Sequence, residues 1–208
     1  MLELVKSGGW VMWPLILCSV LALAIIGERL WSLQRRYVMP KGTLQTVQQW
    51  LDRGDLDAAR VGQLRKASPL GAVLAAGLLN RNRDRAMVKD AIEDAGRHSA
   101  RDLERYLNTL GTIATIAPFL GLLGTVLGMI EMFGGLGTRG ADPSVLAHGI
   151  SQALTTTASG LAVAIPSLIF YRYFRARVND LLLDMEQQAL RLLDVLQQTG
   201  PRAGRGAA

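Results

Sequence analysis

The apolar and polar positions of this chain follow two patterns. Three stretches run without charge over a length that crosses a bilayer, and between them lie the shorter amphipathic repeats of a helical polar unit. The first stretch lies between Trp10 and Trp31, with Glu28 and Arg29 at its far end; the second, 107–130, has no charge between Arg105 and Glu131; the third, 149–171, has none at all. At about 1.5 Å per residue, a helix from one tryptophan to the other covers about 30 Å, the thickness of the hydrocarbon core. The pattern predicts an all-α membrane protein with three transmembrane helices, two of them extended far into the cytoplasm. Its parts are a first membrane helix in 1–31, a polar helical domain in 32–105, a second membrane helix in 106–133, a short outer loop in 134–148, a third membrane helix in 149–171, a helical extension in 172–198 and a disordered tail in 199–208.

Within the polar domain the periodicity predicts helices at 43–53 and 56–66, with Gly54 and Asp55 as stop and cap between them, then a short apolar helix opened by Pro69 and ending at Leu79. Asp84 can cap the next helix. From there a polar face through Lys89, Glu93, Arg97, Arg101 and Arg105 meets the second apolar stretch without a Gly-Pro break. A single helix continuing to Phe133 would be about 75 Å long, so much of it would project from the membrane. After the third stretch, Val178, Leu181, Leu182, Met185, Ala189, Leu192 and Leu196 recur at helical spacing and form a matching amphipathic extension.

The second and third stretches are unlike lipid-facing helices. In GISQALTTTASGLAVAIPSLIFY (149–171), Ser151, Gln152, Thr155, Thr156, Thr157 and Ser159 need a wet or protein-lined neighbour. Ala153, Thr157, Gly160 and Ala164 fall on one helical face, opposite Leu154, Leu161, Ile165 and Leu168, and that small face suits a helix bundle or an axial channel. In LNTLGTIATIAPFLGLLGTVLGMI (107–130), Gly121, Gly124 and Gly128 with Thr125 make a second small face. Pro118 and Pro166 each remove one backbone hydrogen bond and are expected to kink their helices.

Half the residues are hydrophobic and 19% are charged, which fits a few membrane spans joined to one small polar domain. A net charge of +6 would point to nucleic acid in a soluble chain, but here the basic residues crowd beside the apolar stretches. Arg29, Arg35, Arg36 and Lys41 follow the first, Arg101 and Arg105 precede the second, and Arg172, Arg175 and Arg177 follow the third, against Lys6 and Arg139 at the opposite ends. The positive-inside rule then sets the N-terminus outside and the C-terminus in the cytoplasm. One cysteine, Cys18, and two distant histidines exclude an internal disulfide and offer no metal-ligand spacing. Phosphate loops, nucleophile elbows, HExxH pairs and paired carboxylates are absent, so neither enzyme nor cofactor is expected.

The blocks TIATIAPFLGLLGTVLGMI (112–130) and GISQALTTTASGLAVAIPSLIFY, in this order and on this three-span layout, resemble the ExbB/TolQ/MotA family of proton-channel motor subunits, and its ExbB members most. The resemblance implies a pentamer in a bacterial inner membrane enclosing an ExbD- or TolR-like single-span partner, whose membrane aspartate carries protons and whose motion is passed to a TonB-like or TolA-like protein. It puts the family's two pore threonines on Thr125 and Thr157. The small residues Gly121, Gly128, Ala153, Gly160 and Ala164 would then face the pore. The family's pore glutamate falls on Gln152, which cannot exchange a proton, so the acid group must come from the partner. A Tol-type subunit, a flagellar stator subunit and a passive membrane scaffold are the competing readings.

Overall fold

A computed structural model describes residues 9–139 and 143–199; within its helices the side chains at 135–139, 143, 145, 146, 148 and 197–199 lie outside that description, as does the tail from Gly200 onward, expected to be disordered. All the described elements are helical: α1 Met12–Ser32, α2 Arg35–Val38, α3 Thr43–Arg53, α4 Ala58–Ala67, α5 Pro69–Leu79, α6 Arg85–Leu103, α7 Leu107–Arg139 and α8 Pro143–Thr199. They form two compact units, one of Met1–Leu30 with Tyr106–Arg175 and one of Trp31–Arg105 with Ala176–Ala208.

The first unit holds the membrane-length helices. Met12–Ser32, Leu107–Gly134 and a segment of Gly149–Leu196 are long and apolar enough to cross a bilayer. Their outward positions are large and apolar (Leu17, Leu23, Phe119, Ile130, Leu154, Ile169), as helices facing acyl chains require. Inside, Met12 and Leu15 of α1 cluster with Ala117 of α7 and Ala164 of α8, with Leu120 and Val163 at the edge. Pro118 and Pro166 both sit inside unbroken helices.

Two expectations are corrected here. The helix expected to run from Asp84 to Phe133 is interrupted after Leu103, because Tyr106 takes φ 62°, a left-handed conformation that ends helical hydrogen bonding. Arg29 lies 5.5 Å from the centroid of the Tyr106 ring and, at 4% exposure, is buried. Glu28 compensates its charge through Nε–Oε2 at 2.5 Å and Nη2–Oε1 at 3.0 Å. The loop expected over 134–148 is mostly helix. Glycines at 134, 135 and 137 weaken α7 by about 1 kcal/mol each but do not stop it before Arg139, and Pro143 opens α8 in the one position where a missing N–H costs little.

The second unit is an amphipathic helical assembly around Val47, Leu74, Leu78, Val178, Leu181 and Leu192. α5 is its centre: a Cβ at Gly77 would stand 3.1 Å from Ile92 of α6 and 3.2 Å from Leu192 of α8, so the glycine lets both side chains pack close against α5. Arg35 of α2 pairs with Asp184 of α8 at 2.9 Å. Gly54 closes α3 at φ 66°, as the sequence indicated. Neither Asp57, at the N-cap of α4, nor Asp84, at the N-cap of α6, makes a side-chain capping bond. Ser68 does, accepting the Gly71 N–H at 3.0 Å from a buried position ahead of Pro69. Ser68→Ala is expected to lower the unfolding free energy by about 1 kcal/mol, measured by denaturant titration in detergent.

Candidate functional site

The small residues singled out in the two uncharged blocks, with Thr157, meet in a seam between α7 and α8. On α7 the spacing of Ala117, Gly121, Gly124 and Gly128 keeps small residues on one face through more than two turns. On α8 the matching positions are Ala153, Thr156, Thr157, Gly160 and Ala164. The pairing runs antiparallel. A Cβ at Gly160 would stand 2.6 Å from the Ala117 carbonyl oxygen and 3.0 Å from the Gly121 Cα; one at Gly124 would stand 2.5 Å from the Thr156 hydroxyl. At Gly128 the neighbour is Ala153 Cβ at 3.5 Å, an ordinary contact.

Gly121, Gly128, Ala153, Gly160 and Ala164, expected to face a pore, are placed by that geometry at helix contacts within one copy of the chain. All five are buried against helices of their own chain. With lipid on the outside there is no water to expel between helices, so close backbone approach and dispersion hold them, and both require the smallest side chains.

The hydroxyls divide by what they donate to. Thr157 Oγ1 crosses the seam to the Gly121 carbonyl at 3.2 Å. Thr125, one turn beyond Gly121 on α7 and half-buried, donates to its own helix at Leu122 O, 2.7 Å. Thr156 is wholly buried and donates to Ala153 O at 2.7 Å. Thr112, Thr115, Thr155 and Ser159 likewise bond back one turn. A hydroxyl that has donated its proton keeps lone pairs to accept with, so Thr125 and Thr157 can receive a hydrogen bond from water or a protonated acid without breaking the ones they make.

Thr156 was missed as a seam residue. Its spacing, three after Ala153 and four before Gly160, is the signal that places it there. Gln152 is not brought to the seam: its amide nitrogen lies 3.0 Å from where a Cβ on Gly9 would stand, against the turn that leads into α1. Glycine at φ 67° admits it. On α8, Ser151, Ala158 and Ala162 stay exposed away from the seam. Among the described residues no cluster of His, Cys, Asp and Glu could hold a metal ion.

Three membrane-length helices, two of them closely paired and rich in hydroxyls but free of acid or base over 107–130 and 149–171, define a multi-span α-helical membrane protein. A model of the MotA/TolQ/ExbB proton channel family matches residues 65–187, and the chain belongs to that family. Among its relatives, a Methanothermobacter thermautotrophicus protein named as an ExbB homolog of biopolymer transport is 34% identical over 183 residues, 86% of this chain and 64% of that one. The chain thus spans just under two thirds of that relative. The Vibrio cholerae biopolymer transport protein exbB1 is 32% identical over 80% of this chain and 75% of its own. The Aquifex aeolicus biopolymer transport protein ExbB is 41% identical over 87 residues, 41% of this chain and 59% of its own.

Proposed function

We propose that this chain is the multi-span subunit of an ExbB-type motor that uses the proton motive force, together with an ExbD-like single-span partner, to energise TonB-dependent transport across the outer membrane. The observation that carries this reading is the pairing of α7 and α8: hydroxyl-rich, tightly packed, and without any group that could hold a proton over the shared stretch. Such a wall guides a proton but cannot store one, so the acid belongs to a partner. Thr125 and Thr157 offer the hydroxyls along the path. Moving one elementary charge through 100 mV releases about 2.3 kcal/mol, enough to bias two packing arrangements of similar energy.

In this reading copies of the chain, five by resemblance, surround the partner in a bacterial inner membrane, N-terminus periplasmic and C-terminus cytoplasmic. The small residues lock α7 to α8 within each copy, and the exposed Ser151, Ala158 and Ala162 face is left for the next copy or for the partner. Gln152 lies against the turn that leads into the first span. Tol-type coupling through a TolA-like protein differs only in the partner's outer domain.

Co-purified chain and partner, reconstituted in liposomes under a pH gradient, are expected to pass protons, and replacing the partner's membrane carboxylate by its amide is expected to end the flux. Flux that survives that replacement would assign the acid elsewhere. No flux under any condition would leave the passive scaffold as the better account.

A further inference from the structure

At the end of α1 the chain builds a cluster that the motor reading does not use. Trp31 closes that helix with 63% of its surface exposed, and Tyr37 in α2 is 43% exposed. The two rings stack at 6.2 Å with an interplanar angle of 21°. The Arg36 guanidinium lies over both, 4.8 Å from the Tyr37 centroid and 5.8 Å from the Trp31 centroid. Its neighbour Arg35 is already paired with Asp184. Among the described residues no carboxylate stands within ion-pair distance of Arg36.

A guanidinium held by ring faces is oriented but not neutralised. Its rigid fork of N–H donors is left free, and that fork matches two oxygens of one phosphate. Trp and Tyr rings, apolar in body and polar at one tip, settle at the depth of lipid headgroups. Here they close an apolar helix of membrane length, so a phosphate reaching Arg36 can arrive with a glycerol backbone and acyl chains that cover the rings. A free phosphate would leave those rings in water. A net negative headgroup is also preferred, because the positive amine of a zwitterionic lipid would have to approach the unneutralised Arg36 in a stretch that also carries Lys41.

We propose that Trp31, Arg36 and Tyr37 form a binding site for an anionic phospholipid, with the phosphodiester taken by Arg36 and the glycerol region packed on the two rings. The site is independent of proton conduction, and its occupant is a component of the membrane itself. It fixes the depth at which α1 ends.

The test is native mass spectrometry of the purified full-length complex from nanodiscs of phosphatidylglycerol or phosphatidylcholine, with retained lipid counted per chain. The native chain is expected to retain phosphatidylglycerol preferentially. Arg36→Gln should reduce that preference at least about fivefold, Arg36→Lys should restore only part of it, and Tyr37→Leu, which leaves every charge in place, should also reduce it. Arg65→Gln, a charge removed elsewhere in the same unit, should have no effect. An unchanged preference in Arg36→Gln, an equal loss in Arg65→Gln, or displacement of the lipid by inorganic phosphate would each overturn the proposal.

Discussion

Gly160→Ala is expected to force α8 away from α7 and to cost about 2–3 kcal/mol of stability, a large share of what a protein of this size has to lose. The added methyl would meet a carbonyl oxygen of Ala117 at 2.6 Å and the Gly121 backbone at 3.0 Å and beyond. Neither obstacle can rotate out of the way, because both are main chain inside a helix. Gly124→Ala meets a side chain instead, Thr156, at 2.5 Å to Oγ1, 2.7 Å to Cβ and 3.0 Å to Cγ2. That threonine is wholly buried and hydrogen-bonded to Ala153 O, and turning its χ1 would leave its Cβ, at 2.7 Å, where it is. Gly128→Ala, with 3.5 Å to its nearest neighbour, and Gly27→Ala, with nothing within 4 Å, are the size-matched controls and should change stability little. Denaturant-induced unfolding in detergent separates the two groups. A Gly160→Ala protein as stable as Gly27→Ala would show that the seam does not hold α7 and α8 together.

The three spans were legible because charge is absent over a length that nothing else in a chain of this composition explains. The small faces were legible too, at the level of which residues share a side of a helix. Their neighbour was not. A period of about 3.6 residues says that Gly121, Gly124 and Gly128 point together, but it is silent on whether they point at a sister helix or at a central channel. Backbone distances decide that, and they put Gly121 against Thr157 and Gly160 of the same chain. The same limit separates Thr156 from Thr157: adjacent hydroxyls, about 100° apart on the helix, one sealed in the seam and one reaching across it. The break before α7 could not be read at all, since Glu104, Arg105 and Tyr106 include neither glycine nor proline; it rests on a left-handed tyrosine beneath a buried arginine seventy-seven residues earlier in the chain. Gln152 shows the remaining gap. The block it belongs to assigned it to a pore, whereas its place against Gly9 depends on where the turn before α1 comes to rest.

Thr157→Val is expected to lower proton flux through the reconstituted complex at least about tenfold, the factor that about 1.4 kcal/mol on one barrier produces, while assembly and stability stay close to native. Valine keeps the branched shape that fills the seam and removes only the hydroxyl. That hydroxyl bonds across to another helix, and at 3.2 Å its bond is longer than the 2.7 Å bond Thr156 makes within its own. A longer, inter-helix bond is the easier one to exchange for water or for a partner's acid as the two helices shift. Thr125→Val should act in the same direction, because its oxygen, already donating to Leu122 O, is left as an acceptor on the half-buried edge of α7. Thr157→Ser, which retains the hydroxyl, should conduct. The decisive control is Thr156→Val: it removes an equally membrane-embedded hydroxyl and costs about 1 kcal/mol of stability, yet should leave flux unchanged, because that group is sealed from any path. If flux tracks stability across the four variants, the hydroxyls are only packing; if it falls for Thr125 and Thr157 and not for Thr156, the proton passes along the edge of the seam.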